Sequence, residues 1–313
     1  MSMEKKSLRL AYGQALVEAG NSHPDIVVLE ADLGKSTMSY LFKEAWPERY
    51  FEMGIAEQNM ASTAAGLALA GKIPFYSTFA VFALGRAYDQ IRCSIAIPQA
   101  NVRICGSSCG LSDFGDGKTH QSIEDANVVC ALPNMTVLNP CDAVETRKMV
   151  QAMVKHQGPV YIRINRNDLP VFTPEEGEYE IGKMTRIVEG SDVVIFATGA
   201  MVWKSWEAAH QLKSEGIAAE VINVSTLKPL RKAEVLQHAA GKKAIVVVEE
   251  ATKIGGLGSA IALAIAGELC VPFRHLGIED QFGTSAHSYA ELLEHFGLTK
   301  RHIAQTVRQA LGK

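Results

Sequence analysis

The chain has 313 residues, of which 47% are hydrophobic, and this length and composition predict about two globular domains. Lys and Arg number 31 against 34 Asp and Glu, so the formal charge of −3 leaves no basic excess to bind a nucleic acid backbone. The longest uncharged apolar stretch, residues 254–267, is shorter than the roughly 20 residues that span a bilayer, and it predicts a buried helix. Nucleic acid and membrane are therefore excluded as partners.

The N-terminal residues and the cysteines favour one compartment. The first ten residues are charged from Glu4 to Lys6 and lack the apolar core of a signal peptide, so we expect a cytoplasmic location. The six cysteines include no Cys-x-x-Cys pair. Such spacing is typical of separate buried thiols rather than of a zinc or disulfide framework.

Apolar, β-branched runs recur along the first half of the chain, with helical patterns between them. Because near-continuous apolarity is typical of strands buried on both faces, the pattern predicts a parallel sheet covered by helices. The predicted strands are residues 26–29, 50–53, 73–76, 102–104, 135–138 and 160–164. The predicted helices are residues 8–19, 57–70, 81–97, 122–132 and 143–155.

Between Asn167 and Gly182 the sequence becomes polar and turn-rich, which predicts an interdomain linker. The alternation then restarts with strands 193–196, 219–222 and 244–248 and a helix over 203–214. Two further helical segments, broken near Gly297, close the chain. The fold class is therefore α/β, with two domains that each contain a largely parallel sheet flanked by helices.

The densest local signal is Met-Gly-Ile-Ala-Glu-Gln-Asn-Met at residues 53–60, where a short strand meets a helix of small residues. Glu57 lies in the first turn of that helix, where a carboxylate stabilises the positive end of the helix dipole. Alternatively, the small residues allow a ligand to approach and Glu57 points toward it. The spacing alone leaves both interpretations open.

Two other segments combine groups that are useful in chemistry. Phe79 and Phe82 are three residues apart, so they form either a core pair or a surface on which a flat heterocycle stacks. Residues 115–122 form a loop that carries an acid, a base and His120. Such loops are often functional, although a single loop histidine is commonly only solvated.

Three other patterns predict no site. Gly-Asp-Gly with paired asparagines about 25 residues downstream is typical of the magnesium site of thiamine diphosphate, but here the pair is Asn139-Pro140, so no metal site is predicted. The segment Gly255-Gly256-Leu257-Gly258 has no further glycine at the spacing that the dinucleotide motif Gly-x-Gly-x-x-Gly requires. The Gly-x-Ser-x-Gly motif of serine hydrolases does not occur.

Together these segments resemble the C-terminal half of the transketolase family. The matching segments follow the family's order over essentially the whole chain: residues 54–60, 77–82, 86–90, 116–121, 132–135, 159–163 and 283–285. The resemblance implies a thiamine diphosphate-binding pyrimidine domain over residues 7–170, a linker over 171–184 and the family's C-terminal domain over 185–313.

The resemblance also implies a partner. Full-length members of the family have an N-terminal domain that binds the diphosphate and Mg²⁺ (or Ca²⁺), so the chain looks like one subunit of a split, cytoplasmic transketolase. The expected assembly is an α2β2 heterotetramer with an N-terminal transketolase subunit. Its reaction would transfer a two-carbon ketol unit from a ketose phosphate to an aldose phosphate in pentose phosphate metabolism.

The resemblance assigns roles on the cofactor side of the site. Glu57 matches the catalytic glutamate that hydrogen-bonds N1′ of the aminopyrimidine of thiamine diphosphate. Phe79 and Phe82 match the aromatic residues that pack on the pyrimidine. Asp32 matches an acid near the cofactor.

On the sugar side, the matching residues bind substrate. His120 also counts among the catalytic residues, and Asp116 matches the acid that binds a donor hydroxyl. The positions that match phosphate-binding residues are Arg9, Ser36, His120 and Arg166.

The sugar side also departs from the family pattern. Ser108 stands where many members have a substrate-binding histidine, and the loop with Asp113 and Phe114 is bulkier and more acidic than the usual glycine-rich one. By its matching position, Ser108 is expected among the substrate-binding residues. Because serine is shorter and always neutral, a standard pentulose phosphate would leave a gap or a bridging water there, so we expect the enzyme to prefer a modified sugar phosphate.

Other functions fit part of the pattern. A β subunit of a 2-oxoacid dehydrogenase and a deoxyxylulose-phosphate synthase-like protein share the pyrimidine domain. In the former, however, the phosphate-binding residues would have no substrate phosphate to bind, and the latter is normally one long chain. A non-catalytic scaffold is the alternative from another class, and intact Glu57, Phe79 and Phe82 argue against it.

Overall fold

In the computed structural model, which describes residues 3–313, the chain forms two mainly parallel sheets and a two-stranded ribbon. Most strands of both sheets are apolar and buried, as the sequence predicts, whereas three of the outer strands are partly exposed. The strands of the first half are β1 Lys5–Ser7, β2 Ile26–Glu30, β3 Tyr50–Glu52, β4 Ile73–Phe79, β5 Arg103–Ser107, β6 Thr136–Leu138, β7 Val160–Ile164 and β8 Asp168–Pro170. Those of the second half are β9 Thr185–Val188, β10 Val193–Ala197, β11 Ala219–Asn223, β12 Thr226–Lys228, β13 Ala244–Thr252 and β14 Phe273–Ile278.

Helices cover the sheets. They are α1 Leu8–Ser22, α2 Gly34–Thr37, α3 Tyr40–Ala45, α4 Glu57–Leu69, α5 Tyr88–Gln90, α6 Asp125–Ala131, α7 Ala143–Lys155, α8 Met201–Ser214, α9 Lys232–Ala239, α10 Leu257–Ile265, α11 Tyr289–His295 and α12 Lys300–Ala310. None of the helices within residues 3–313 is long and apolar enough to cross a membrane.

The first sheet has the strand order β12-β6-β7-β5-β4-β2-β3, and all its pairs are parallel except β12 with β6. The second sheet has the order β14-β13-β10-β11-β9, in which only β9 is antiparallel. The α/β class with two largely parallel sheets is thus confirmed. The sequence did not predict that β12, from the second half, would extend the first sheet.

The segment that follows the first sheet is held more tightly than its polar composition suggests. Strand β8 pairs with β1 in an antiparallel ribbon. The carboxylate of Asp142, which caps the N-terminus of α7, also accepts hydrogen bonds from the N–H groups of Phe172 and Thr173 at 3.0 and 2.8 Å. Phe172 and Tyr179 pack on the hydrophobic core. The exact domain boundaries remain a prediction.

Three details differ from the sequence-based expectations. The helix predicted over residues 81–97 consists of two π-helical segments, Val81–Arg86 and Ile91–Ala96, on either side of short α5. The apolar stretch 254–267 is only partly buried, because Leu263, on the outer face of α10, is 79% exposed and Ile254 is 70% exposed. The expectation of buried thiols is wrong for Cys93 and Cys270, which are exposed.

An ion pair lies inside the first sheet. Arg163 of β7 donates to both carboxylate oxygens of Asp125 at 2.9 and 2.8 Å, and Tyr161 donates to the same carboxylate at 2.8 Å. The two charged side chains are only 3% and 0% exposed. Burial lowers the pKa of the Arg163 guanidinium, but its neighbours, Asp125 foremost, together raise it by more. The pKa of Arg163 therefore lies above its usual value. The pair thus links the first residue of α6 to the centre of the sheet.

The phenol of Tyr161 explains why residue 106 is glycine. A Cβ on Gly106 would lie 2.0 Å from the hydroxyl oxygen of Tyr161, which Asp125 holds in place. We expect Gly106→Ala to lower the free energy of unfolding by roughly 1–3 kcal/mol because the strand or the ring must shift.

A matched substitution separates this steric effect from the general effect of replacing glycine. Gly66 lies inside α4, and a Cβ there would meet no atom within 4 Å. Gly66→Ala should raise the free energy of unfolding by about 0.5–1 kcal/mol because alanine favours the helix. Urea unfolding of both variants checks this, and a Gly106→Ala protein as stable as the parent would contradict the packing described here.

Candidate active site

The residues singled out from the sequence collect at one edge of the first sheet. Strands β2, β3, β4, β5 and β7 run parallel, so their carboxyl ends lie along the same edge. In open α/β sheets this edge is where ligands bind. The predicted residues that lie at or after these ends are Asp32, Ser36, Glu57, Phe79, Phe82, Ser108, Asp116, His120 and Arg166.

Glu57 begins helix α4 and is only 5% exposed. The preceding turn has Gly54 at φ +69°, a conformation that glycine adopts without strain. No hydrogen bond within residues 3–313 involves the Glu57 carboxylate, and helix α4 packs against β4 and the π-helical segment that follows it. A buried carboxylate is thus available to an external donor.

Glu52, which the sequence analysis did not single out, holds this turn next to Asp32. Its Oε1 accepts hydrogen bonds from the N–H groups of Asp32 at 2.8 Å and Gly54 at 3.1 Å. Asp32 is exposed and has φ +60°. The turns after β2 and β3 are therefore tied together.

Glu30 is a second acid that the sequence analysis missed. It lies fully buried at the end of β2 and accepts a hydrogen bond from the N–H of Leu33 at 2.6 Å. Burial raises its pKa to about 8, and the nearby Glu52 carboxylate also raises it. Because Glu30 lies inside an apolar strand pattern, no local motif distinguishes it.

Phe79, Phe82 and His120 form an aromatic cluster. The two phenylalanine rings stack with centroids 6.2 Å apart and an angle of 16° between their planes. The His120 ring contacts both edge-on, at 6.3 Å from Phe79 and 5.5 Å from Phe82. The fold thus joins two motifs that are about 40 residues apart in the sequence.

Arg166 lies beside this cluster. Its guanidinium is 6.0 Å from the centre of the Phe79 ring, and its Nη1 donates to Oδ2 of Asp113 at 2.7 Å. Asp113 is 2% exposed and Arg166 is 34% exposed. Burial raises the pKa of Asp113, while the positive charge of Arg166 opposes that shift. The sequence analysis singled out both residues but not their ion pair.

Arg9 and Ser36 form the next contact along the edge. Nη1 of Arg9 donates to the backbone oxygen of Ser36 at 2.8 Å, whereas its buried Nε has no partner within residues 3–313. Burial lowers the pKa of Arg9, and the positive charge of Arg166 lowers it further. A cavity of about 610 Å³ is lined by both arginines, by Phe114 and, from the second half of the chain, by Trp203 and Tyr289.

Ser108 and Asp116 occupy different surroundings. Ser108, at the end of β5, is fully buried with φ +53°, and its Oγ has no partner within the described residues. Asp116 is exposed and precedes a 3₁₀ turn over Gly117–Thr119. The structure thus places Asp116 where a ligand can reach it, whereas the Ser108 side chain lies behind the surface.

Comparisons with known proteins agree over the whole chain. Residues 4–171 match the transketolase pyrimidine-binding domain and residues 182–303 match the transketolase C-terminal domain. A putative transketolase C-terminal section from Methanocaldococcus jannaschii is 40% identical over 311 residues, which cover 98% of this chain and 97% of the relative. A 6-deoxy-6-sulfo-D-fructose transketolase subunit from Clostridium sp. strain MSTE9 is 39% identical over 310 residues, covering 99% and 96%.

A solved structure gives the same result. A split-gene transketolase, described as an inactive β4 tetramer, superimposes with a TM-score of 0.89 at 44% identity over 99% of both chains. These findings favour the transketolase interpretation over the dehydrogenase, synthase and scaffold alternatives. The chain therefore belongs to the transketolase family and comprises its pyrimidine-binding and C-terminal domains.

Proposed function

We propose that this chain is the C-terminal subunit of a two-subunit, thiamine diphosphate-dependent transketolase that transfers a two-carbon ketol unit between sugar phosphates. The observation that carries the proposal is the buried, unpartnered carboxylate of Glu57 at the sheet edge that also bears the stacked pair Phe79 and Phe82. The relatives named as a C-terminal section and as a subunit support a separate N-terminal partner. An α2β2 assembly, a cytoplasmic location and a role in pentose phosphate metabolism remain predictions.

The residues present fit one end of the cofactor. An aminopyrimidine offers a ring nitrogen for a carboxyl group and a flat face for aromatic rings, and Glu57 with the two phenylalanines supplies both. Within residues 3–313, no three His, Cys, Asp or Glu side chains lie together as a metal site would require. Because Glu57 and the two phenylalanines account for the pyrimidine end only, we assign the diphosphate and its Mg²⁺ or Ca²⁺ mainly to the partner subunit.

Thiamine diphosphate, when bound, supplies the electron sink for breaking and forming the carbon–carbon bond of the ketose. Glu57 holds a proton at N1′ of the pyrimidine, which is the acid–base contribution of this chain. Phe79 and Phe82 orient the ring and keep water from it. His120, edge-on to both, presents an imidazole to the substrate next to that ring. Asp32 lies near the cofactor, on the turn that Glu52 ties to the Glu57 segment.

The sugar side is assigned to the remaining residues. Arg166 and Arg9 attract the phosphate, with Ser36 beside Arg9, and Asp116 binds a donor hydroxyl. Ser108, which is fully buried with an unpartnered Oγ, is assigned to the sugar side in place of a longer side chain. Asp113 offsets the charge of Arg166, so a doubly charged phosphate approaches an arginine that is already paired.

The dependence on a partner gives the first functional prediction. The purified chain should not bind thiamine diphosphate tightly, because its residues contact only one end of the cofactor, and the partner should create the complete site. Isothermal titration with cofactor and Mg²⁺, with and without the partner, measures this. Micromolar binding by the chain alone would contradict the proposal.

Glu57→Gln removes the acid and keeps its volume. Activity of the assembled enzyme should fall by about 10²–10⁴-fold, the range of a lost acid–base group, while assembly and the melting temperature stay the same. The affected step is exchange of the C2 proton of the cofactor for deuterium, which NMR follows directly. An exchange rate equal to that of the parent would leave Glu57 only its stabilising role at the helix N-terminus.

Charge at the sugar phosphate gives the next prediction. Arg166→Gln should lower kcat/KM for a phosphorylated donor by about ten- to a hundredfold, through loss of a charge-assisted contact, and spare cofactor affinity. Asp113→Asn should raise the same ratio by roughly fivefold, since it removes a like charge near the phosphate.

The control is the unphosphorylated sugar. Because Arg166→Gln leaves the buried Asp113 unpaired, the double variant with Asp113→Asn distinguishes loss of the phosphate contact from local unfolding. Equal losses for phosphorylated and unphosphorylated donors would show that Arg166 has a structural role only.

A further inference from the structure

One carboxylate from the second sheet reaches into the sugar side of the candidate site. Glu250, in β13, is 6% exposed. Its Oε1 accepts the N–H of Leu111 at 2.7 Å, and its Oε2 accepts the hydroxyl of Tyr289 at 2.5 Å and the side-chain amide of Asn165 at 3.4 Å. Asn165 also donates to the Tyr289 hydroxyl oxygen at 3.2 Å. Two segments of the first half and one helix of the second half thus meet at this group.

The segments that Glu250 holds are those that carry the sugar-binding candidates. Leu111 begins the segment 111–121, which bears Asp116 and His120, and Asn165 immediately precedes Arg166. The approach is close: a Cβ on Gly110 would lie 2.7 Å from Oε1 of Glu250, and Gly110 has φ +62°.

Other contacts from the second half support the same segment. Gln121 donates to the backbone oxygen of Thr284 at 2.9 Å, and the N–H of Ala286 donates to the oxygen of Phe114 at 2.9 Å. Both ends of the loop therefore rest on the second half of the chain, and Glu250 provides a charged contact at its start.

The surroundings of Glu250 oppose its ionisation in the folded protein. Burial raises the pKa of Glu250 to about 7, although Tyr289 and the Leu111 N–H favour the ionised form. Arg163 also lowers the pKa and Asp125 raises it. Because the pKa in the folded state lies above the ordinary value, the part of the stability that depends on protonation of Glu250 is present in acid and is lost as the pH rises through about 7.

We propose that Glu250, with Tyr289 and Asn165, is a positioning residue that holds the loop of residues 111–121 and Arg166 in place for the sugar substrate. The C-terminal domain thereby determines the geometry of the sugar side, while Glu57, Phe79 and Phe82 lie on elements of the first half of the chain. This role rests on the proposed transketolase function, but the ordering of the loop can be tested independently of it.

The first test uses the chain alone. Glu250→Gln keeps the volume and removes the charge, and Tyr289→Phe removes one partner; both should speed hydrogen–deuterium exchange across residues 111–121 by about tenfold or more. The matched control is Glu249→Gln. Glu249 is 2% exposed and makes three hydrogen bonds, but they go to Leu257, Gly258 and His275. Unchanged exchange of the loop in both test variants would overturn the proposal.

The second test uses the enzyme assembled with its partner. Glu250→Gln should raise KM for the ketose phosphate donor and lower kcat, leave thiamine diphosphate affinity unchanged, and have a larger effect than Glu249→Gln. Equal losses of cofactor affinity and donor binding would show a merely structural role. If the assembled parent lacks transketolase activity, the proposed function fails, and the exchange experiment still decides whether Glu250 orders the loop.

The third test measures how the melting temperature depends on pH. From about pH 5 to about pH 8 the melting temperature of the parent should fall relative to that of Glu250→Gln, because only the parent must ionise a buried carboxyl group. A constant difference over this range would contradict the enclosed position of Glu250 between the two halves of the chain, because an exposed carboxyl group would keep its ordinary pKa.

Discussion

The direction of five neighbouring strands determines where the chemistry of this chain can lie. Because β2, β3, β4, β5 and β7 are parallel, their carboxyl ends meet at one edge, and each connection must return over a face of the sheet before the next strand begins. Residues from widely separated parts of the chain become neighbours there. Arg166 lies 6.0 Å from the centre of the Phe79 ring, although 87 residues separate them in the sequence (166 − 79 = 87).

A buried ion pair beneath this edge holds the neighbouring loops in place. The pair of Arg163 and Asp125 is buried and doubly hydrogen-bonded, which is the geometry that a buried ion pair needs to offset its desolvation. Arg163 is three residues before Arg166, and Asp125 begins the helix that follows the His120 loop. Removing one partner would leave a buried charge directly beneath the sugar side, so this pair supports the site without touching a ligand.

Much of this architecture could be predicted from local patterns. All six strands that the sequence analysis predicted in the first half are present, and five of them lie in apolar runs, since a strand buried on both faces must be apolar throughout. Glu57, Phe79, Phe82 and His120 could be singled out because short motifs contain them. Their roles as cofactor and substrate contacts remain predictions.

The features that the sequence analysis missed are long-range contacts between polar groups. The bond between Glu250 and Leu111 joins residues 139 positions apart, and that between Arg166 and Asp113 joins residues 53 apart, so no periodicity marks either. Strand β12 has only three residues and pairs with a strand of the other half, which its local pattern does not show. The π-helical segments around Phe82 likewise share their apolar spacing with an ordinary helix.

The central claim is that the Phe79–Phe82 pair, beside Glu57, receives the aminopyrimidine of thiamine diphosphate. NMR of the enzyme assembled with its partner and loaded with cofactor carrying a ¹³C-labelled pyrimidine methyl group tests this most directly. Aromatic rings shift nearby nuclei, so the methyl signal should move upfield from its position in free cofactor and return toward it in Phe82→Leu. A methyl signal at the free position, or a shift that Phe82→Leu leaves unchanged, would show that the pyrimidine binds elsewhere.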